Sequence, residues 1–213
     1  MAKTIEDKKR QVVTEFRRTE ILDAATKIFS EKGVDDSRMD DVAAQAGLAK
    51  ATVYVYFRSK DEIFEAVVKR ALTEIMALTE ERVSSAADFA GKVHAFIAVR
   101  LEYWREKQEL YRVISSLKRD VKDRKRSLRW QRMAVDYLLS LFGEAVKQEE
   151  IPEQDVEAAA WALMDMIRGI HERRILQPRS STEEEARYLA NFALKAMGAA
   201  SARLPAAGVR AGK

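Results

Sequence analysis

Helix-breaking residues are scarce in this chain, and where they fall limits what it can fold into. Only three prolines and eight glycines punctuate 213 residues. Between those breaks, apolar side chains recur at i, i+3 and i+4, the period of an amphipathic helix. Ile21, Leu22, Ala25, Ile28 and Phe29 form the first such stripe, on a helix expected over 15–32. The charged first ten residues are expected to be mobile. Gly33 closes that helix, because glycine takes the left-handed conformation cheaply. Ser37 followed by Asp40 resembles a capping box, which predicts a second helix from about Arg38 with Met39, Val42, Ala43 and Ala46 inward. Gly47 supplies a turn, and 50–56 reads as a short third helix. Ser59 caps a fourth, where Ile63, Phe64, Val67, Ala71, Leu72 and Ile75 keep the period.

The helical pattern continues. Phe89, Val93, Phe96, Ile97, Leu101 and Trp104 predict a helix over about 86–106, followed by a shorter one over 108–118 and a long one over 124–149. Pro152 is tolerated in a first turn and so predicts a helix from there to about 177. Pro178 and the serines after it interrupt the chain. Glu183, Glu184 and Glu185 then open a last helix, at the end where carboxylates suit its dipole. That helix is expected to end near 200, with a disordered tail beyond. No segment alternates like a strand and no repeat is present, so the fold class is all-α.

Composition narrows the function classes. With 47% hydrophobic and 34% charged residues, the chain can bury a core and stay in solution. The absence of cysteine rules out disulfides, thiolate metal sites and cysteine nucleophiles. Residues 1–18 lack a signal-peptide core, and no apolar run approaches the roughly 20 residues that span a bilayer. A cytoplasmic protein with no membrane association is expected. Its two histidines, His94 and His171, belong to no metal-binding motif, and no phosphate-binding glycine loop, nucleophile elbow or dinucleotide fingerprint occurs. Neither an enzyme nor a cofactor nor a metal is expected. The net charge of +4 permits nucleic-acid binding without demanding it.

The segment 33–60 carries the most specific signal. Two short helices joined at Gly47, the second ending in an aromatic and basic cluster, can set a helix in a DNA major groove and hold the flanking phosphates. Phe29-Ser-Glu-Lys-Gly33, Asp41-Val-Ala43, Ala46-Gly-Leu48, Thr52-Val-Tyr-Val-Tyr-Phe57 and Ser59-Lys60 before Asp-Glu-Ile63 resemble, without gaps, the DNA-binding domain of TetR-family transcriptional regulators. The resemblance covers about the first quarter of the chain. It implies an arm and three-helix helix-turn-helix DNA-binding domain over 1–60, joined to a larger helical-bundle ligand-binding and dimerisation domain over 61–213, with the tail from about 201. Ala43, Gly47, Val53 and Phe57 would hold the shape. Lys50, Ala51 and Thr52 would face the groove, with Lys50 reaching guanine acceptors. Ser37 or Arg38, Tyr54, Tyr56 and Lys60 would meet phosphates. Ala49 stands where the family usually has a small polar residue, so one hydrogen bond is missing. Asp35, Asp36, Asp40 and Asp41 are unusually acidic for a DNA-facing surface.

A single recognition helix buries too little surface for tight binding, which implies a homodimer on a palindromic double-stranded DNA operator. Ala158, Ala159, Ala160, Ala162, Gly169, Ala186, Ala190, Ala193 and Ala196, with Leu163, Ile167, Leu189 and Phe192, mark the last two long helices as the interface; packing within the chain is the alternative. Phe96, Trp104, Tyr111, Trp130, Met133, Tyr137, Trp161 and Met164 are either core or the lining of an adaptable apolar pocket for a small-molecule effector. Arg100, Asp165 and Arg168 either orient a polar group of that ligand or form surface ion pairs. The basic run from Lys118 to Arg132 is a solvated segment, an entrance for an anionic ligand, or a second DNA contact. A DNA-binding protein with no effector would leave the Trp and Met cluster as inert core.

Overall fold

The computed structural model describes residues 2–115, 121–176 and 181–199. Among them are nine helices and no strand: α1 (Ala2–Lys32), α2 (Met39–Gln45), α3 (Lys50–Tyr56), α4 (Lys60–Ser84), α5 (Phe89–Glu106), α6 (Gln108–Ser115), α7 (Val121–Lys147), α8 (Val156–Leu176) and α9 (Thr182–Ala196). The expected tail beyond 200, and Lys118 and Arg119 of the basic run, lie outside the described residues.

Helix ends follow from local chemistry. Gly33 and Gly47 adopt φ of +83° and +65°, the left-handed geometry their positions required. After α2, the Leu48 N–H reaches back to the Ala43 carbonyl at 2.9 Å, which closes the helix and turns the chain. Ser59 receives the Glu62 N–H at 3.1 Å and caps α4. Two of the starts that differ from expectation have a visible side-chain cap. Asp155, not Pro152, opens α8, since its carboxylate accepts the Ala158 N–H at 3.0 Å. A side-chain acceptor satisfies an orphan donor there, whereas proline is merely tolerated. Likewise Asp88 takes the Gly91 N–H at 2.7 Å, so α5 begins at Phe89.

Residues 2–10 are helical rather than mobile, because α1 begins at Ala2. Residues 6–16 are all exposed and form no buried stripe, which is why periodicity misses this part of the helix. An Arg10–Glu6 pair at 3.2 Å, one turn apart, supports this exposed stretch.

Contacts divide the chain into two compact units, 1–73 with 107–127, and 74–106 with 128–213; α4 belongs to the first through Thr73 and to the second from Glu74. In the first unit, Ile21, Ala25, Phe29, Val42, Val53, Phe57, Ile63, Phe64, Val67 and Val68 are buried, and Phe29 meets Phe64 edge-on at 6.1 Å. Each of the valine, isoleucine and phenylalanine side chains contributes about 1.5–3 kcal/mol by leaving water. In the second, α5, α7, α8 and α9 pack Val93, Phe96, Ile97, Leu101, Val135, Leu138, Phe142, Leu163, Ala190 and Leu194 into one core. Glu185, buried there, is held by Arg173 at 3.0 Å and by the Nε of Arg174 at 2.7 Å, while Arg174 also donates to the Leu101 carbonyl. That network ties α8 and α9 to α5. No described helix is long and apolar enough to cross a membrane.

Candidate nucleic-acid interface

The site is built from α2, the turn at Gly47, α3 and the first turn of α4. Val53 and Phe57 are fully buried and anchor α3 by its inner edge. Ala43 is buried in α2 with Met39 and Val42. Arg18 of α1 locks the far end of α3: its guanidinium lies 4.3 Å from the Phe57 ring centroid and donates to the Tyr56 carbonyl at 3.0 Å. It thereby satisfies a terminal carbonyl that the helix leaves open. Sequence reading missed Arg18, because nothing in its neighbourhood announces a partner 38 residues away.

With its inner edge fixed, α3 turns the opposite face to solvent. Lys50, Ala51, Tyr54 and Val55 are exposed, while Thr52 and Tyr56 are half-buried at its flanks. Val55 is 77% exposed. It had no assigned role, yet lies one helical turn beyond Ala51, so the 3.6-residue period places both on one face. A valine there can only make apolar contacts, such as with a thymine methyl. Ala49 provides no side-chain cap for α3.

The acidic residues have specific partners. Asp40 binds the Lys50 ammonium at 2.8 Å, and both side chains are exposed. That hydrogen bond raises the lysine pKa. Asp41 pairs with Lys32 at 2.7 Å and accepts the Arg38 N–H at 2.9 Å, and the two bonds hold its carboxyl below the usual range. The helix cap is therefore Arg38 with Asp41, one residue later than the expected Ser37 and Asp40. Ser37 itself is buried, and its hydroxyl donates to the carbonyls of Gly33 and Val34. That leaves its side chain committed to the turn, while Arg38 stays exposed.

Lys60 is half-buried and already engaged. Its ammonium donates to the Asp35 carbonyl at 2.7 Å and the Ser37 carbonyl at 2.9 Å. It fastens the loop before α2 to the start of α4. An ammonium has three donors, so one remains for an outside acceptor.

The candidate ligand residues do not form one group. Phe96 and Arg100 are buried together, with the guanidinium 3.4 Å from the ring centroid, and Tyr137 stacks on Phe96 at 5.9 Å. Trp161 and Met164 are half-buried against the core of the second unit, and Trp104 packs edge-on to Tyr103 at 4.9 Å. Trp130 is half-buried and Met133 is exposed. Tyr111 belongs to the first unit. Asp165 and Arg168 pair at 2.9 Å on the surface of α8, the ordinary i, i+3 arrangement. In the basic run, Lys125 and Arg129 are exposed, and Arg132 is held by Asp136 and Glu157 at 2.7 and 2.6 Å.

The alanines expected at an interface divide similarly. Ala160, Ala186, Ala190 and Ala193, with Leu163, Ile167 and Leu189, are buried within the chain. What α8 and α9 leave outward is an open groove of about 500 Å³, lined by Met166, Gly169, Ile170, Tyr188 and Phe192 among others. Tyr188 is 72% and Phe192 51% exposed, so two large rings rim it in water.

Residues 21–67 match the family model described as bacterial regulatory proteins, tetR family. An uncharacterized HTH-type transcriptional regulator, YhgD of Bacillus subtilis, is 25% identical over 158 residues, 70% of this chain and 80% of that protein. Several further curated relatives are matched over less than half of their own length. The crystal structure of a TetR-family transcriptional regulator, PfmR from Thermus thermophilus, superposes with a TM-score of 0.68 at 25% identity, covering 82% of this chain and 97% of that one. The regulator FadR from Bacillus subtilis, solved in complex with stearoyl-CoA, superposes with a TM-score of 0.76 at 21% identity, over 82% of this chain and 96% of that one, a likeness of fold.

Proposed function

This chain belongs to the TetR family of bacterial transcriptional regulators, and on that premise we propose that it is a homodimeric repressor, released from a palindromic operator when a small hydrophobic or amphipathic ligand binds. The outward face of α3 carries the reading. Lys50, Ala51, Tyr54 and Val55 stand exposed on a helix whose other edge is wholly committed to the core. Short, solvent-facing and rigidly backed, that face suits a major groove. Lys50 and Val55 read base edges, with Thr52 at the flank. Arg38, Tyr54, Tyr56 and the remaining donor of Lys60 grip phosphates and fix the register.

The reading domain extends through residue 60, with effector and dimer functions beyond it. Helix α4 runs from Lys60 to Ser84, so a ligand that biases its later turns biases the helix that carries Lys60. Release requires the ligand to favour the conformation that does not fit DNA; equal affinity for both shifts nothing.

Operator-binding titrations of Lys50→Ala and Lys60→Ala test the site. Lys60→Ala should weaken binding on every sequence, while Lys50→Ala should also relax base preference at one position by about 1–3 kcal/mol. Thermal unfolding separates loss of the Asp35–Ser37 clamp from loss of a phosphate contact. If both variants bind operator as the parent does, the assignment of α3 and Lys60 fails.

A further inference from the structure

Arg100 is the most anomalous charged group in the second unit. It sits on α5, 3% exposed, in the interior of a helical bundle. Its Nη1 donates to the Thr79 hydroxyl and the Phe96 carbonyl, both at 3.1 Å. Among the described residues its Nη2 meets only the Met76 sulfur, at 3.9 Å, a weak acceptor. One face of the guanidinium lies on the Phe96 ring. Every one of these partners is neutral, and among the described residues no carboxylate pairs with it.

Nearby acids are engaged elsewhere. Glu74 accepts the Tyr103 hydroxyl at 2.8 Å, Glu102 pairs with Arg82 at 2.5 Å, and Glu80 acts on Tyr137. A buried charge without a counter-charge is costly, and proteins retain such groups chiefly where they act. Burial lowers the guanidinium pKa to about 9, which still leaves it a cation at neutral pH.

We propose that Arg100 is the anion receptor of the effector site and that the effector is a small amphiphile bearing a single carboxylate. This rests on the ligand-released repressor reading above. A carboxylate matches the guanidinium edge with two parallel hydrogen bonds. One negative charge neutralises the site, whereas a phosphate dianion would leave a net negative charge in an apolar interior. The under-satisfied edge is the one at Met76, which is half-buried, flexible and so able to swing aside. Met76 and Tyr137, both half-buried, offer apolar surface to a hydrocarbon chain.

The same contacts give the ligand its leverage. Thr79 and Met76 belong to α4, so a carboxylate that takes the guanidinium competes with the bonds by which Arg100 holds that helix to α5. It therefore favours the state in which α4 has moved.

Calorimetric titration of the full-length protein with decanoate, methyl decanoate, decanol and decanoyl-CoA tests the proposal. Decanoate should bind at least about tenfold tighter than the ester or the alcohol, the worth of one charged hydrogen-bonded contact. Arg100→Met should erase that difference while still binding the neutral probes, and Arg100→Lys should keep part of it. Equal binding of decanoate and methyl decanoate by the parent protein overturns the proposal, as does no binding of decanoate. A preference for decanoate that survives Arg100→Met overturns it too, and so does a preference for decanoyl-CoA that survives that variant. Should Arg100→Met fail to fold, the Arg100 Nε–H resonance of the parent protein decides: it should shift with decanoate and not with decanol, and an unmoved resonance overturns the assignment. Operator release is scored separately. Arg100-dependent binding of decanoate with unchanged operator affinity supports the receptor and overturns ligand release.

Discussion

In the proposed DNA interface Lys50 is not a free cation. Asp40 holds it across the start of the helix-turn-helix, and both side chains stay in water. An exposed pair of this kind, screened by solvent, contributes too little to stability to explain it as a fold element. Its larger effect concerns DNA: the carboxylate aims the ammonium, and it also adds a negative charge among phosphates. Asp40→Asn should therefore leave unfolding nearly unchanged and tighten binding to operator and non-operator duplexes alike. The gain should be greater for non-operator DNA, because an unrestrained lysine finds any acceptor. Binding curves on both duplexes across several salt concentrations measure this; weaker binding to both would contradict it. The sequence showed Asp40 only as a capping and acidic residue without its lysine partner, and gave Val55 and Arg18 no role. The first two needed only the helical period and spacing to be pressed further. Arg18 needed the tertiary structure, since its partners sit at 56 and 57.

At the scale of elements, turns and caps were legible where the chemistry is local. Gly33 and Gly47 announced left-handed turns because other residues pay to adopt them, and both do so. The helix-turn-helix spacing was legible for the same reason. Helix starts were less so: Asp155 was overshadowed by the more conspicuous Pro152, and the exposed half of α1 had no buried stripe to betray it. A Cβ at Gly47 would meet nothing within 4 Å, so substitution there tests backbone conformation alone. Gly47→Ala should cost about 1–2 kcal/mol, and Gly47→Asn distinctly less, since asparagine tolerates the left-handed region. Denaturant unfolding of both variants checks this. Equal losses would mean that the turn, rather than the φ of one residue, carries the cost.

For the whole molecule, the proposed homodimer would assemble on what α8 and α9 leave uncovered. Of their small residues, Ala160, Ala186, Ala190 and Ala193 are buried inside the chain, whereas Ala158, Ala162, Gly169 and Ala196 are exposed. The outward stripe is Met166, Gly169, Ile170, Tyr188 and Phe192. A twofold axis through that groove would bury the same patch on both copies, the self-complementary arrangement of most dimers. Gly169 keeps its floor low, and the two rings rim it. Since Tyr188 and Phe192 are exposed in one chain, charging them spares the chain's own core. Tyr188→Glu with Phe192→Asp should thus give a folded monomer in sedimentation equilibrium, with thermal unfolding that no longer depends on protein concentration. Its affinity for a full palindrome should fall by about a hundredfold or more, towards that for a single half-site, because two tethered contacts become one. Half-site binding itself should not change. A double variant that remains dimeric at micromolar concentration would move the interface to another face of the molecule.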